Sequence, residues 1–363
     1  MVRGATDQRL DDILNKALKE TPLTKEDLIY LLSLTDPAGI NLVFQTARTL
    51  RERYFGNKVF LYGFVYFSTY CRNNCAFCMY RRSNRNFKRY RKTEAEILDT
   101  ANRLVESGVH LLDLTMGEDP AYFSNNCEGF EKLIRTVENI KKATEMPLMI
   151  SPGVVSEEIL REFKKIGVDW YACYQETHNL DLFNNLRLDQ SYDTRMEKKI
   201  FAHKVGLLIE EGIMTGVGDT AEDIAHSLEV MNEIGAEQVR VMSFVSQEWT
   251  PMYPWPVVPR LRELLIIAVM RLCFPNRLIP ASLDVDGLSG LRQRLNAGAN
   301  IVTSIIPPGA GLAGVSQSSL DIEEGKRTVS SIIPVLEECN LTTASRDDYS
   351  AWVTDKQNGI FAW

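Results

Sequence analysis

Three of the chain's seven cysteines, Cys71, Cys75 and Cys78, fall within eight residues of the stretch CRNNCAFCMY. A structural zinc site asks for four protein ligands, commonly as two close pairs. No second pair exists, since Cys127, Cys173, Cys273 and Cys339 stand alone and the chain has four histidines. Three thiolates without a fourth protein ligand suit an iron–sulfur cluster that leaves one iron open. A second pattern lies in charges set inside apolar runs: Asp113 in LLDLT, Arg240 in QVRVMSF and Asp284 closing PASLD. Ser282 shares a face with Asp284 by the period-two alternation of a strand. Inward unpaired charges are expensive. If all three face one lumen, two anions and one cation complement a diamino acid such as lysine or ornithine. The alternative is that Arg240 pairs with one of the aspartates inside an occluded interior.

Eight apolar runs can carry these residues, at 58–66, 110–115, 147–151, 168–174, 212–217, 238–245, 278–284 and 301–306. Helix-patterned segments lie between them at 93–107, 156–166, 192–211, 220–235 and 257–272. Such alternation predicts parallel βαβ units, and eight of them predict an α/β fold of the (β/α)8 TIM-barrel type. Gly108, Gly167, Gly235 and Gly298 sit where helices must stop before strands begin. Upstream, TPLTKEDLIYLLSL and PAGINLVFQTARTLRERYF predict helices, the first opening on a threonine cap. The expected organisation is an N-terminal helical extension (1–54), a barrel (55–340) and a short C-terminal tail (341–363). The cysteines then follow the first strand, at the mouth where barrel enzymes place their chemistry.

The chain's 363 residues carry a net charge of −7, which argues against a nucleic-acid partner. The run RRSNRNFKRYRK at 81–92 breaks that balance, as a solvated loop or as an anion-binding one. No apolar run reaches the roughly 18–20 residues of a membrane span, and the N-terminus lacks the apolar core of a signal peptide. A cytoplasmic location is expected, where thiols stay reduced and bind metals before they form disulfides.

C-x3-C-x2-C with Tyr80 next but one after the last cysteine resembles the cluster motif of the radical S-adenosylmethionine (SAM) superfamily. The resemblance implies a [4Fe–4S] cluster on Cys71, Cys75 and Cys78, its open iron chelated by SAM. One-electron reduction then yields a 5′-deoxyadenosyl radical, with an electron from a donor such as a flavodoxin or ferredoxin. TMGED resembles the motif whose carboxylate holds the methionyl ammonium, implicating Glu118, which is otherwise a helix-capping acid. SPG and YQET bring Ser151, Tyr174 and Glu176 to the same mouth, Glu176 matching a ribose ligand of biotin-synthase-like enzymes. Arg195 matches an arginine that pairs with the cofactor carboxylate there. GIMTGVG resembles the motif beside the adenine, at Gly216, with Asp219 in place of a glutamate. VYFSTYCRNNCAFCMY, LDLTMGEDP, MISPGV, PASLD and LNAGANIVTSIIPP together resemble the methylornithine-forming lysine mutases of pyrrolysine biosynthesis. That implies L-lysine as substrate, its radical splitting and recombining as a branched isomer, with Asp113, Arg240, Ser282 and Asp284 holding it. The rivals are a biotin-synthase-like enzyme with another amino-acid-derived substrate and a zinc-stabilised module binding protein or RNA.

Overall fold

The computed structural model describes residues 8–86, 88–123, 128–307 and 326–360; Cys127 lies outside them. Helices α1 (Gln8–Leu18), α2 (Lys25–Leu32) and α3 (Pro37–Phe55) precede the first strand. Eight parallel strands follow: β1 (Lys58–Tyr66), β2 (Leu111–Thr115), β3 (Leu148–Ser151), β4 (Trp170–Ala172), β5 (Leu208–Thr215), β6 (Gln238–Ser243), β7 (Pro280–Ser282) and β8 (Ile301–Ile305). They stand in the order β6-β5-β4-β3-β2-β1-β8-β7. A bridge between Gln238 and Leu278 links the two ends, with the Val239 N–H donating to the Leu278 carbonyl at 3.0 Å. The result is a nearly closed (β/α)8 barrel.

Around it lie α4 (Glu94–Ser107), α5 (Glu128–Thr144), α6 (Glu157–Lys165), α7 (Leu180–Leu186), α8 (Tyr192–Lys204), α9 (Ala221–Glu233), α10 (Arg260–Cys273), α11 (Leu291–Asn296) and α12 (Val329–Glu338). Local signals set their ends. Thr24, Thr93 and Thr220 form capping boxes with Asp27, Glu96 and Asp223, satisfying N–H groups that the first turn leaves orphaned. Gly167 carries φ +88°, and a Cβ there would lie 3.1 Å from Lys141 Cε. Gly167→Ala is expected to cost about 1–2 kcal/mol, the usual penalty of a left-handed residue with a side chain. Equilibrium denaturation measures it.

Alternate residues of each strand face the lumen. Phe60, Tyr62, Phe64 and Tyr66 of β1 join Leu111, Met149 and Trp170 inside, while Leu61 and Val65 pack outward beneath the helices. The segment expected as a tail is built into the barrel floor. β9 (Thr342–Thr343) pairs with the start of β1, and α13 (Arg346–Ile360) packs against the barrel end opposite the mouth. The Tyr349 hydroxyl lies 2.7 Å from that of Tyr62, and Trp352 stacks on Trp170 with centroids 5.9 Å apart. Tyr62, Trp170 and Tyr349 are all fully buried there.

A strand boundary is corrected as well. β5 begins at Leu208, four residues before the expected 212, and α8 ends at Lys204. Glu210 and Glu211 close the segment expected as helical, 192–211, yet both are fully buried in β5. Glu211 accepts from the Gln175 and Gly212 backbone N–H groups, each at 2.8 Å, and forms an ion pair with Lys199. Partnered burial of this kind overrides the apparent polarity of the segment.

Candidate active site at the barrel mouth

The cysteines lie on the long loop between β1 and α4. Arg89 draws that loop together, donating to the carbonyls of Thr69, Tyr80, Arg81 and Asn84. Arg91 makes a two-pronged contact with buried Asp119, both bonds at 2.6 Å, which ties the loop to the segment after β2. Gly117 is required at this junction, because a Cβ there would sit 2.3 Å from the Tyr70 carbonyl oxygen. Each thiol accepts a hydrogen bond. The Asn73 N–H donates to Cys71 Sγ and the Tyr80 N–H to Cys78 Sγ, both at 3.4 Å. Gln190 Nε2 donates to Cys75 Sγ at 3.1 Å, with Arg187 Nη1 at 3.8 Å. Burial pushes the Cys71 thiol up to about 11, and burial with the neighbouring thiols pushes Cys78 higher. Metal binding must therefore release protons here.

These donors fit an iron–sulfur cluster. Three thiols face one cavity, and N–H groups of the kind that tune cluster sulfurs already point at them. Among the described residues, no three His, Cys, Asp or Glu side chains close on a single ion. A cluster spreads its ligands over separate irons and needs no such convergence.

Twelve of the fourteen residues singled out by sequence line this one cavity, which holds about 250 Å³, just under the roughly 300–1,000 Å³ of small-molecule sites. They are Cys71, Cys75, Cys78, Tyr80, Glu118, Ser151, Tyr174, Glu176, Arg195, Asp113, Arg240 and Asp284. Gly216 and Ser282 are not among its lining residues. Gly216 lies in the turn after β5, its N–H donating to Asp219 at 2.6 Å and its carbonyl accepting from Trp255. Ser282 stands behind Asp284, 3.2 Å from its carboxylate.

On the cluster side, Glu118 accepts from Arg72 Nε at 2.8 Å and the Val154 N–H at 3.1 Å. It lies over Gly153, where any side chain would collide with it. Arg195 donates to the Tyr174 carbonyl at 2.7 Å and approaches Glu118 at 3.7 Å, while its buried Nε has no partner. Glu176 sits at φ +70° and pairs with Arg187 at 2.6 Å. A left-handed backbone at a residue with a side chain carries strain, which persists only where the surrounding structure fixes it.

On the inner side, Arg240 pairs with neither aspartate. Its Nε donates to Glu210 at 2.6 Å, Nη1 reaches Thr303 at 3.3 Å, and the buried Nη2 has no partner. The other Glu210 oxygen accepts from the Tyr174 hydroxyl at 2.6 Å. Asp284 accepts from Arg327 at 2.8 Å and Ser304 at 2.6 Å. Asp113 accepts from Ser151 at 3.0 Å, and its carboxyl is raised to about 8 by burial first and by the nearby Glu210 charge second. Sequence reading missed Glu210, Arg187 and Arg327. Gly206, at φ +91° after α8, carries the same helix-stop signal as the other four glycines and would have placed Glu210 in a strand.

The cysteine-bearing mouth of a (β/α)8 barrel defines a radical SAM enzyme, and the Radical SAM superfamily pattern matches residues 65–231. The chain is 42% identical to the 3-methylornithine synthase of Methanosarcina barkeri, over 97% of this chain and 99% of that protein. The crystal structure of methylornithine synthase (PylB) superposes with a TM-score of 0.89 at 42% identity, covering 94% of this chain and 99% of that one. The chain belongs to the 3-methylornithine synthase family of radical SAM enzymes, whose cofactors are a [4Fe–4S] cluster and SAM. More distantly, it is 30% identical to the [FeFe] hydrogenase maturase subunit HydE of Thermotoga maritima, over 80% of this chain and 82% of that protein.

Proposed function

We propose that this enzyme rearranges L-lysine to 3-methylornithine, the first step of pyrrolysine biosynthesis. The observation that carries this reading is a single chamber joining the three thiols to the charges of the inner barrel. Arg240 and Glu210 cancel one another, as do Arg327 and Asp284. Asp113 remains, and burial holds it neutral when no cation is near. Such a lumen favours a ligand of net charge +1 whose ammonium group draws the proton off Asp113. Lysine, with one carboxylate and two ammonium groups, has that charge.

In this reading the unpartnered Arg240 Nη2 takes the substrate carboxylate, and Asp113 and Asp284 take its ammonium groups, with Ser282 steadying Asp284. Cys71, Cys75 and Cys78 hold the cluster, while Glu118, Arg195, Glu176, Tyr174, Ser151 and Tyr80 surround SAM. Bound together, the cluster and SAM supply a 5′-deoxyadenosyl radical by one-electron reduction of the sulfonium. The barrel's residues keep the two lysine fragments within reach of each other and away from water. The enzyme works in the cytoplasm, because its free thiols need a reducing compartment. No described helix is long and apolar enough to cross a membrane.

Anaerobic incubation with L-lysine, SAM and dithionite tests the proposal. A branched isomer of lysine is expected, and its absence from protein with an intact cluster overturns the mutase reading. Tyr174→Phe removes a hydroxyl that donates to Glu210. A hydrogen bond to a charged group contributes about 1.5–3 kcal/mol, so kcat/KM is expected to fall by up to about 10- to 100-fold.

A further inference from the structure

We infer that the exposed basic face of the cysteine loop docks a small acidic iron–sulfur carrier protein of the ferredoxin type. The inference rests on the cluster assignment made above. Residues 71–92 hold eight of the chain's 41 basic side chains and none of its 48 acidic ones, leaving net −15 on the remainder. Arg89 gathers loop carbonyls, and Arg72 and Arg91 hold Glu118 and Asp119, which leaves the exposed Arg82, Arg85 and Lys88 without such a structural use. Five of the eight, Arg72, Arg82, Arg85, Lys88 and Arg91, are exposed. Arg85 and Lys88 have no carboxylate partner among the described residues, and Arg82 shares only an exposed ion pair with Asp189, of the kind that contributes little.

This face lies close to the thiols. The Arg82 N–H donates to the Asn73 carbonyl at 2.8 Å and the Arg81 N–H to that of Cys78 at 3.2 Å. A carrier seated on the arginines is therefore held within a few residues of all three cysteines, as the steep distance dependence of electron transfer demands. Tyr70 is 39% exposed, with the Arg91 guanidinium 4.7 Å from its ring centroid. Aromatic and arginine side chains are enriched at protein interfaces. An acidic iron–sulfur protein supplies the complementary charge and is among the lowest-potential one-electron carriers. One electron leaves the carrier's reduced cluster, which is oxidised, and takes this chain's [4Fe–4S] cluster from 2+ to 1+. No proton moves and no bond forms.

The test compares wild type with Arg82→Glu/Arg85→Glu/Lys88→Glu, following cluster bleaching after anaerobic mixing with a reduced ferredoxin. At low salt the variant is expected to be reduced at least ~10-fold more slowly, and the wild-type rate to fall with added salt where the variant's does not. Titration calorimetry with oxidised ferredoxin is expected to show the same loss of affinity. Dithionite, which needs no docking, should bleach both proteins equally, which also shows that the cluster is loaded. A wild type that carries no iron speaks against the cluster reading instead. Equal rates with ferredoxin overturn the proposal. So does faster reduction by a flavodoxin that is equally sensitive to the variant, or loss of RNA binding with the ferredoxin rate unchanged. If the triple variant loads no cluster, the neutralising pair Arg85→Gln and Lys88→Gln should show a graded fall, and no gradation is equally fatal.

Discussion

Arg240→Ala is expected to lower kcat/KM for lysine by about 10²–10³-fold or more while the cluster stays intact. Removing one partner of a buried pair is strongly destabilising, about 3–5 kcal/mol, because the other charge is stranded; a tenfold change in rate is 1.36 kcal/mol. Here the stranded group is Glu210, fully buried and left with Tyr174 alone. The substrate carboxylate loses its proposed anchor at the same time. Of the residues proposed to surround SAM, Tyr174 alone meets the Arg240–Glu210 pair, through its hydroxyl on Glu210. Glu118, Glu176 and Arg195 form no hydrogen bond with Arg240, so SAM cleavage should continue without productive transfer. The ratio of 5′-deoxyadenosine to 3-methylornithine, measured by mass spectrometry, is therefore expected to rise sharply. Unchanged product yield contradicts the carboxylate-binding role. Arg240→Lys should rescue only in part, since one ammonium cannot serve Glu210 and a planar carboxylate with the same fork. The double variant Arg240→Ala/Glu210→Ala separates stability from binding. It removes both charges, so much of the folding defect should recover while the activity does not.

Much of the cavity lining is legible in the sequence, and the reasons differ by residue. The cysteine loop is local, and its spacing alone carries the chemistry. Asp113, Arg240 and Asp284 stood out as charges inside apolar runs, and the condition that they share one lumen is met, since all three line the chamber. What stayed hidden were the partners that make buried charge tolerable. Glu210 meets Arg240 because β5 and β6 run side by side, with Gly212 opposite Arg240 in the register. No local pattern states that pairing. The same holds for Arg327, 43 residues from Asp284. Lys199 behaves likewise: on α8 it reads as a solvent-facing lysine, yet it is fully buried against Glu211 and Gln175. Charge signals exposure in a single sequence, and only tertiary pairing reverses that signal. The C-terminal segment escaped for a similar reason, since Tyr349 and Trp352 are explained only by the barrel floor they meet.

Asp113 gives the second large effect, and its sign is set by burial. Its carboxyl is raised to about 8, so in the empty site at neutral pH it is mostly protonated. The groups that face it are Glu210 and Asp284, which raise it, and Arg240 and Ser151, which lower it. An ammonium ligand needs the ionised form. Below pH 8 the ionised fraction rises about tenfold per pH unit, and kcat/KM reports ionisations of the free enzyme. The wild-type profile of kcat/KM is therefore expected to climb with a slope near one from about pH 6 and to level off near pH 8. Asp113→Asn should flatten that limb and lower the plateau by about 10²-fold, since an ammonium would be left without its counter-charge. An unchanged profile in the variant would rule Asp113 out as the titrating group. Stability should move the opposite way. A carboxyl whose folded pKa lies above its unfolded value supports the fold at low pH and loses that contribution as pH rises through the folded value. The ligand-free wild type should therefore weaken relative to Asp113→Asn from about pH 4 up to about pH 8 and no further above it, and saturating lysine should reverse the difference. That reversal would mark Asp113 as a residue kept for a cationic ligand, because its burial without one costs the fold stability.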